Sequence, residues 1–108
     1  MKSDTELATL FASLAHPSRI AVFRCLLKRG RRGQSFGELA KAIEISPSTL
    51  THHLREMEAA GILRREVAGR STTLLLELDA LGAAIQQMWR LCCSEEAAMD
   101  ASQEEAAR

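Results

Sequence analysis

Residues 35–78 constrain the fold more strongly than any other part of this 108-residue chain. Their pattern predicts a helix, a tight turn, a second helix and a two-stranded ribbon that has Gly69-Arg70 at its tip. Ser46-Pro47 can start the second of these helices as its N-cap and first residue, and Gly61 can end it. This order is the layout of a winged helix-turn-helix, which places one helix in the major groove of DNA. The segment therefore indicates a nucleic-acid ligand.

The rest of the chain predicts three more helices, so the expected fold is mainly α-helical with a small β-hairpin wing. Ser3 and Glu6 have the spacing of a capping box that would open the first helix. The tight turn lacks a glycine, so Glu44 would adopt a left-handed conformation there at a cost of about 1–2 kcal/mol. After a hairpin formed by residues 62–67 and 71–78, Asp79 would cap the fifth helix. The second helix would bury a face that includes Ile20, Phe23 and Leu27.

Charge is distributed unevenly, although 14 basic and 14 acidic residues cancel over the whole chain. Residues 95–108 hold five acidic residues and one basic residue, which leaves 13 basic and 9 acidic residues in positions 1–94. The basic residues cluster at positions 24–32 and 64–70, as a contact surface for phosphates requires; a merely solvated charged face is the alternative. We expect one DNA-binding and dimerisation domain over residues 1–94, followed by an acidic, flexible tail over residues 95–108.

Composition also bears on the compartment. The 46% hydrophobic fraction suits a folded globule, yet no apolar run approaches the roughly 20 residues that span a bilayer. The first residues lack the basic and then apolar build of a secretory signal. A cytoplasmic protein with no membrane partner and with its three cysteines reduced is therefore expected.

The recognition surface follows from helical geometry. At 100° per residue, the inner face of the fourth helix carries leucines and a methionine, and the opposite face carries Ser48, His52 and Arg55. Such side chains can meet base edges or phosphates, and arginines of the wing can contact phosphates or a minor groove. The candidate DNA-binding residues are Ser46, Ser48, Thr49, Thr51, His52, Arg55, Arg64, Arg65, Gly69 and Arg70.

Apolar stripes on the first and fifth helices predict self-association. One such domain reads too few base pairs for tight and specific binding, so a dimer is expected. The stripes exceed what a small core needs, which makes these two helices the natural two-fold interface. The candidate interface residues are Leu7, Leu10, Phe11, Leu14, Leu81, Ile85, Met88 and Trp89.

Four motifs give the chain a resemblance to the ArsR family of bacterial repressors over roughly residues 5–93. They are LAHPSR at positions 14–19, SPSTLTHHL at 46–54, EAAGIL at 58–63 and GRS at 69–71. The resemblance implies a homodimeric repressor that occupies a palindromic double-stranded DNA operator and leaves it when an inducer binds. No cofactor is implied for DNA binding itself.

In that family the position of the ligands indicates the inducer, and here the resemblance points to Cys92-Cys93. The family's Cys-Val-Cys site would fall on Ser35-Phe36-Gly37, which lacks thiols, and no histidine follows Asp79 to complete an Asp/His site. A Cys-Cys at the end of the fifth helix resembles an arsenite-sensing subgroup, although Met99 stands where that subgroup has a third cysteine. Because soft thiolates suit As(III) or Sb(III), Cys92 and Cys93, with Cys25 as a candidate third ligand, are the expected site for a thiophilic inducer.

Two alternatives stay open. Persulfide-sensing relatives pair a cysteine of the second helix with one near the end of the fifth, which Cys25 with Cys92 or Cys93 approximates; Cys25 could instead be a small buried hydrophobe. A winged helix used only for protein–protein interaction is an alternative of a different class. An enzyme is not expected, because no Cys-His or Ser-His-Asp arrangement lies in a recognisable motif.

Overall fold

The computed structural model describes residues 1–94, so the predicted acidic tail (residues 95–108), with Met99, lies outside the described residues. Within residues 1–94 the mainly α-helical winged helix-turn-helix is confirmed. In chain order the elements are α1 (Asp4–Ala12), α2 (Pro17–Arg29), a 3₁₀ turn (Gly30–Arg32), β1 (Gln34–Ser35), α3 (Phe36–Ile43), α4 (Pro47–Ala59), β2 (Leu63–Ala68), β3 (Ser71–Leu76) and α5 (Leu78–Cys92).

Side-chain caps fix where most of the helices begin. The predicted capping box of α1 is present, because Ser3 Oγ accepts from Glu6 N at 3.1 Å and Ser3 N donates to Glu6 Oε1 at 3.4 Å. Ser35 and Ser46 accept hydrogen bonds from the amides three residues later, at the starts of α3 and α4. These boundaries depend on neighbours within one turn, which is why the sequence could predict them.

The start of α5 differs from its prediction. Glu77 occupies the N-cap without a side-chain hydrogen bond, and Asp79 lies inside the first turn. The Glu77 amide donates to Ile62 O at 2.8 Å, so backbone pairing of the wing continues up to the residue before the helix. The expectation that Asp79 caps α5 was therefore wrong, because the helix begins at Leu78, two residues after the end of β3.

The sheet has three strands in the order β1-β3-β2, one more than the predicted ribbon. The wing hairpin pairs β2 with β3 from Leu63↔Leu76 to Ala68↔Ser71, and β1 adds its two residues to the other edge of β3. Gly33 makes that approach possible: its φ is +64°, and a Cβ there would lie 2.6 Å from Leu74 O. A two-residue strand has no periodicity of its own, so only its partner reveals it.

The core lies between α2, α3, α4 and the base of the wing. Its fully buried side chains are Val22, Leu26, Leu39, Leu50, Leu54, Met57, Ile62 and Leu74. The buried face of α2 thus differs from its prediction, since Ile20 and Leu27 are 39% and 49% exposed and Phe23 is half-buried. Helix α2 packs on α3, α4 and β3 together, so the position of these three partners decides which face is buried.

The residues predicted for a dimer interface divide into two groups. Leu7, Leu10 and Leu81 are buried in the protomer's own core, and Leu14 is half-buried against it. The remaining four are exposed: Phe11, Ile85, Met88 and Trp89. The correction for the three core leucines has a simple cause, because α1 and α5 pack on each other and use part of their apolar stripes to do so.

Two reciprocal hydrogen bonds reinforce the contact of the N-terminal segment with α5. Lys2 N donates to Gln87 Oε1 and Gln87 Nε2 donates to Lys2 O, both at 2.9 Å. Gln87 is buried, and this pairing satisfies both ends of its amide. Among residues 1–94, no single helix has the length and apolar composition to cross a membrane; α1 and α2 would meet them only jointly, across an 87° bend.

Candidate nucleic-acid interface

The turn between α3 and α4 sets the crossing of the two helices. Glu44 ends α3 in the left-handed conformation, with φ 54° and ψ 46°, as the sequence predicted. Ser46 then caps α4, Pro47 occupies its first position, and the Leu50 amide bonds Ser46 O at 2.9 Å. Three residues, 44–46, therefore separate the two helices, and α3 and α4 pack against each other.

Helix α4 separates an inner face from an outer face. Leu50, Leu54 and Met57 are fully buried, whereas Ser48, His52 and Arg55 are exposed on the other side. Within the described residues, the side chain of Arg55 makes no hydrogen bond or ion pair. The helix thus presents the side chains that helical phase predicted; their contact with DNA stays a prediction.

The hydroxyls at the start of α4 are largely engaged within the helix. Ser46 Oγ donates to Thr49 Oγ1 at 2.8 Å and also accepts from Thr49 N at 3.3 Å. Thr51 Oγ1 donates to Pro47 O at 2.9 Å, and Ser48 Oγ has only a 3.4 Å contact with Ser46 Oγ. The groups freest to meet a ligand on this helix are therefore Ser48, His52 and Arg55, while Ser46, Thr49 and Thr51 mainly build it.

The three wing arginines are not equivalent. Arg64 pairs with Glu66 at 2.9 Å and also with Glu77, and these two bonds, Glu77 first, raise its pKa above the ordinary value. Arg65 pairs with Glu58 at the end of α4. Arg64 and Arg65 are therefore both paired with carboxylates of the protein. For Arg64 the sequence held a signal, because Glu66 follows two residues later and so lies on the same face of the strand.

Arg70 is the wing arginine that stays available. It follows Gly69, whose φ is +62°, and it is exposed with no ion pair inside the described part of the chain. No atom lies within 4 Å of where a Cβ on Gly69 would stand. The open tip and the unpaired guanidinium let the wing approach a backbone or groove closely.

A histidine cluster beside α4 escaped the sequence analysis. His53 is buried, its Nδ1 accepts from Arg19 Nε at 3.1 Å, and its ring centroid lies 4.5 Å from that of His16. Arg19 also donates to Ala12 O at 3.4 Å. Burial first, and then the charges of His16, Arg19 and His52, lower the pKa of His53. The cluster joins α4 to α2 and to the end of α1.

The thiols occupy two separate places. Cys92 is the last residue of α5 and Cys93 its C-cap, with φ −99° and ψ 6°, and both are exposed. Cys25 is half-buried in α2, packed against the core. Within residues 1–94 no three His, Cys, Asp or Glu side chains come together as a metal site, so one protomer does not assemble Cys25 with Cys92 and Cys93.

An exposed polar face on the second helix of a helix-turn-helix, beside a wing tipped by an unpaired arginine, defines a winged-helix DNA-binding regulator. Residues 14–66 match the family described as a helix-turn-helix domain. The chain is 30% identical over 95 residues to the biofilm growth-associated repressor of Agrobacterium fabrum, covering 88% of this chain and 79% of that protein. The matched relative is a repressor.

Solved structures of transcriptional regulators have the same fold. An ArsR-like transcriptional regulator from Rhodococcus sp. RHA1 superposes with a TM-score of 0.72 at 24% identity, covering 94% of this chain and 93% of that one. The ArsR family transcriptional regulator RHA00566 gives 0.68 at 28% identity, covering 87% and 97%. The chain belongs to the ArsR family of transcriptional regulators.

Proposed function

We propose that this protein is a homodimeric transcriptional repressor that binds a palindromic DNA operator and is released by an inducer at cysteine thiols. The observation that carries the proposal is the exposed outer face of α4 together with the unpaired Arg70 of the wing. The outer face of α4 offers hydrogen-bonding groups for base edges, and Arg70 offers positive charge for phosphates. The relative from Agrobacterium, itself a repressor, supports the direction of regulation.

The dimer would form through the exposed apolar side chains of α1 and α5. Phe11, Ile85, Met88 and Trp89 are between 37% and 70% exposed in the isolated protomer. A contiguous apolar surface of this kind on a small protein indicates an interaction site. To reach two successive half-sites, a dimer formed there must hold its two copies of α4 one helical turn of DNA apart, about 34–36 Å.

The inducer would act at the carboxyl end of α5. Cys92 and Cys93 are exposed there, and Cys93 departs from helical geometry, which relaxes the roughly 100° divergence of neighbouring side chains on a helix. Two adjacent thiolates suit As(III) or Sb(III). Such an inducer would release DNA only by binding more tightly to a dimer whose two α4 helices no longer match successive major grooves.

DNA binding is tested by removing the two free arginines. Arg55→Ala combined with Arg70→Ala should weaken binding to a duplex selected from a random pool by more than about tenfold, and should lower the dependence of affinity on salt. Arg24→Ala combined with Arg31→Ala removes the same charge from exposed positions outside α4 and the wing. If the first variant binds as tightly as the second, the proposed DNA-binding surface is wrong. If the wild type selects no duplex at all, a protein-interaction module is the better assignment.

The inducer is tested by measuring release of that duplex with arsenite, antimonite, zinc and an organic persulfide. Release by arsenite or antimonite that disappears in Cys92→Ser/Cys93→Ser and persists in Cys25→Ser supports the proposed site. Release by persulfide that requires Cys25 as well would instead favour the redox alternative. An unchanged response of the double variant would remove α5 from the scheme.

A further inference from the structure

A basic groove lies beside the wing, and its described lining includes no residue of α4. It encloses about 510 Å³ between the 3₁₀ turn, the start of α3 and strand β3. Three arginines line it, namely Arg29, Arg32 and Arg70, and Glu38 is the one carboxylate among the described lining residues. Arg70 belongs both to this groove and to the tip of the wing.

The turn that carries Arg32 is held rigidly against the sheet. Gly33 is buried with φ +64°, and a Cβ there would lie 2.6 Å from both Leu74 O and Thr73 Cγ2. Arg29 Nε donates to Gly33 O at 3.0 Å, and its other end lies 3.9 Å from Glu38 Oε2. Arg29 therefore holds the turn and pairs with the carboxylate, so the backbone at Arg32 is held next to the sheet.

The remaining charge of the groove is positive and is not paired with any carboxylate among the described residues. Arg32 and Arg70 are exposed, and neither makes a hydrogen bond or ion pair within the described part of the chain. The walls between them are polar and carry the hydroxyls of Ser35, Ser71, Thr72 and Thr73. Two free guanidiniums flanking hydroxyl groups form a setting for a phosphate, which guanidinium binds in a bidentate manner.

We propose that this groove holds a backbone phosphate of the same duplex that α4 and the wing contact. The inference rests on the proposed DNA binding and extends it to the 3₁₀ turn. The groove is continuous with the wing tip, because Arg70 belongs to both. When Arg70 reaches DNA, the groove and Arg32 therefore lie next to the DNA backbone beside that contact. Arg31, the preceding residue, lines a different cleft beside Leu78 at the start of α5 and faces no part of this surface.

The pair Arg31 and Arg32 provides a matched test. The two residues adjoin on one turn, are both exposed and lose the same charge on replacement by alanine. With a selected duplex of roughly three helical turns, Arg32→Ala should weaken binding about two- to fivefold per subunit, as for one exposed ion pair. It should also reduce the slope of log affinity against log salt by about one per subunit. Arg31 belongs to the same basic cluster in the sequence, but it lines the other cleft, so Arg31→Ala should keep the wild-type slope and affinity.

Replacing single phosphates by neutral methylphosphonates locates the contact. At one phosphate beside the segment reached by the wing, the replacement should weaken the wild type and Arg31→Ala but leave Arg32→Ala unaffected. Equal losses in Arg31→Ala and Arg32→Ala, or no phosphate whose effect depends on Arg32, would overturn the inference. The proposed DNA binding fails separately, if the wild type does not bind duplex DNA or the Arg55→Ala/Arg70→Ala variant binds normally.

Discussion

At the scale of single residues, His53 joins two helices through one ring nitrogen. Because Nδ1 accepts the hydrogen bond from Arg19, that nitrogen must carry no proton. Burial and then the charges of His16, Arg19 and His52 lower the pKa of His53, which favours the same neutral form. Hydrogen bonding and electrostatics thus act together to keep this side chain uncharged inside the fold.

We therefore predict that the protein loses stability as the pH falls through about 6.5. A histidine whose pKa is lowered by folding stabilises the protein fully above its unfolded value, and that contribution is lost as the pH falls towards the folded value. His53→Asn keeps an acceptor for Arg19 but does not titrate. It should flatten the pH dependence of the unfolding free energy by up to about 1.4 kcal/mol for each unit of pKa lowering.

Urea denaturation at several pH values between about 5 and 8 measures this effect. His52→Asn is the matched control, because His52 is the exposed neighbour of His53 on the same helix. The control should keep most of the wild-type pH dependence, because the charge of His52 is the smallest of the causes that lower the pKa of His53. An unchanged pH dependence in His53→Asn would show that another group is responsible.

At the scale of elements, the helix-turn-helix has a strained residue at its junction. Glu44 is the non-glycine residue with positive φ in the described chain, at 54°. A left-handed residue with a Cβ costs about 1–2 kcal/mol, and glycine avoids that cost while adding about 0.5–1 kcal/mol of unfolded-state entropy. The turn therefore contains a small, removable strain.

Glu44→Gly should raise the unfolding free energy by about 0.5–1 kcal/mol, the difference between those two effects. Ala42→Gly tests the opposite case, since Ala42 is exposed within α3, and it should lower stability by about 1 kcal/mol. Chemical denaturation of both variants decides the matter. If Glu44→Gly lowers the unfolding free energy as much as Ala42→Gly does, Glu44 is not strained in the wild type.

The same elements show what a sequence can and cannot predict. The caps at Ser3 and Ser46 and the left-handed Glu44 were predictable, because each depends on residues within one helical turn. The strand β1 and the buried face of α2 were not, because both are decided by partners distant in the chain. For the candidate site, the outer face of α4 followed from helical phase, whereas the neutralisation of Arg65 by Glu58 needed the folded wing.

At the scale of the whole molecule, α5 and α1 leave an apolar surface without a partner in the protomer. Trp89 is 70% exposed, and Ile85 is 54% exposed one turn earlier on the same helix. Exposed aromatic side chains beside aliphatic ones are typical centres of interfaces. This surface would be buried in the proposed dimer, so that the core leucines of α1 and α5 would support it from beneath.

We predict that Trp89→Glu shifts the protein from dimer to monomer without unfolding it, because the side chain is largely exposed in the protomer. Light scattering after size-exclusion chromatography measures the mass, and the thermal transition checks the fold. Val67→Glu is the control, since Val67 is also 70% exposed but lies on the wing. A monomeric wild type, or a dimer that survives Trp89→Glu, would place the interface elsewhere or remove it.

A single residue, Glu77, separates the last strand from α5, and it also accepts from Arg64 in the neighbouring strand. Its backbone amide donates to the carbonyl of Ile62, three residues after the end of α4. No slack loop therefore lies between the helix that carries the thiols and the wing that carries Arg70. Because Glu77 is bonded to both, a rotation of α5 about this residue would also move the wing.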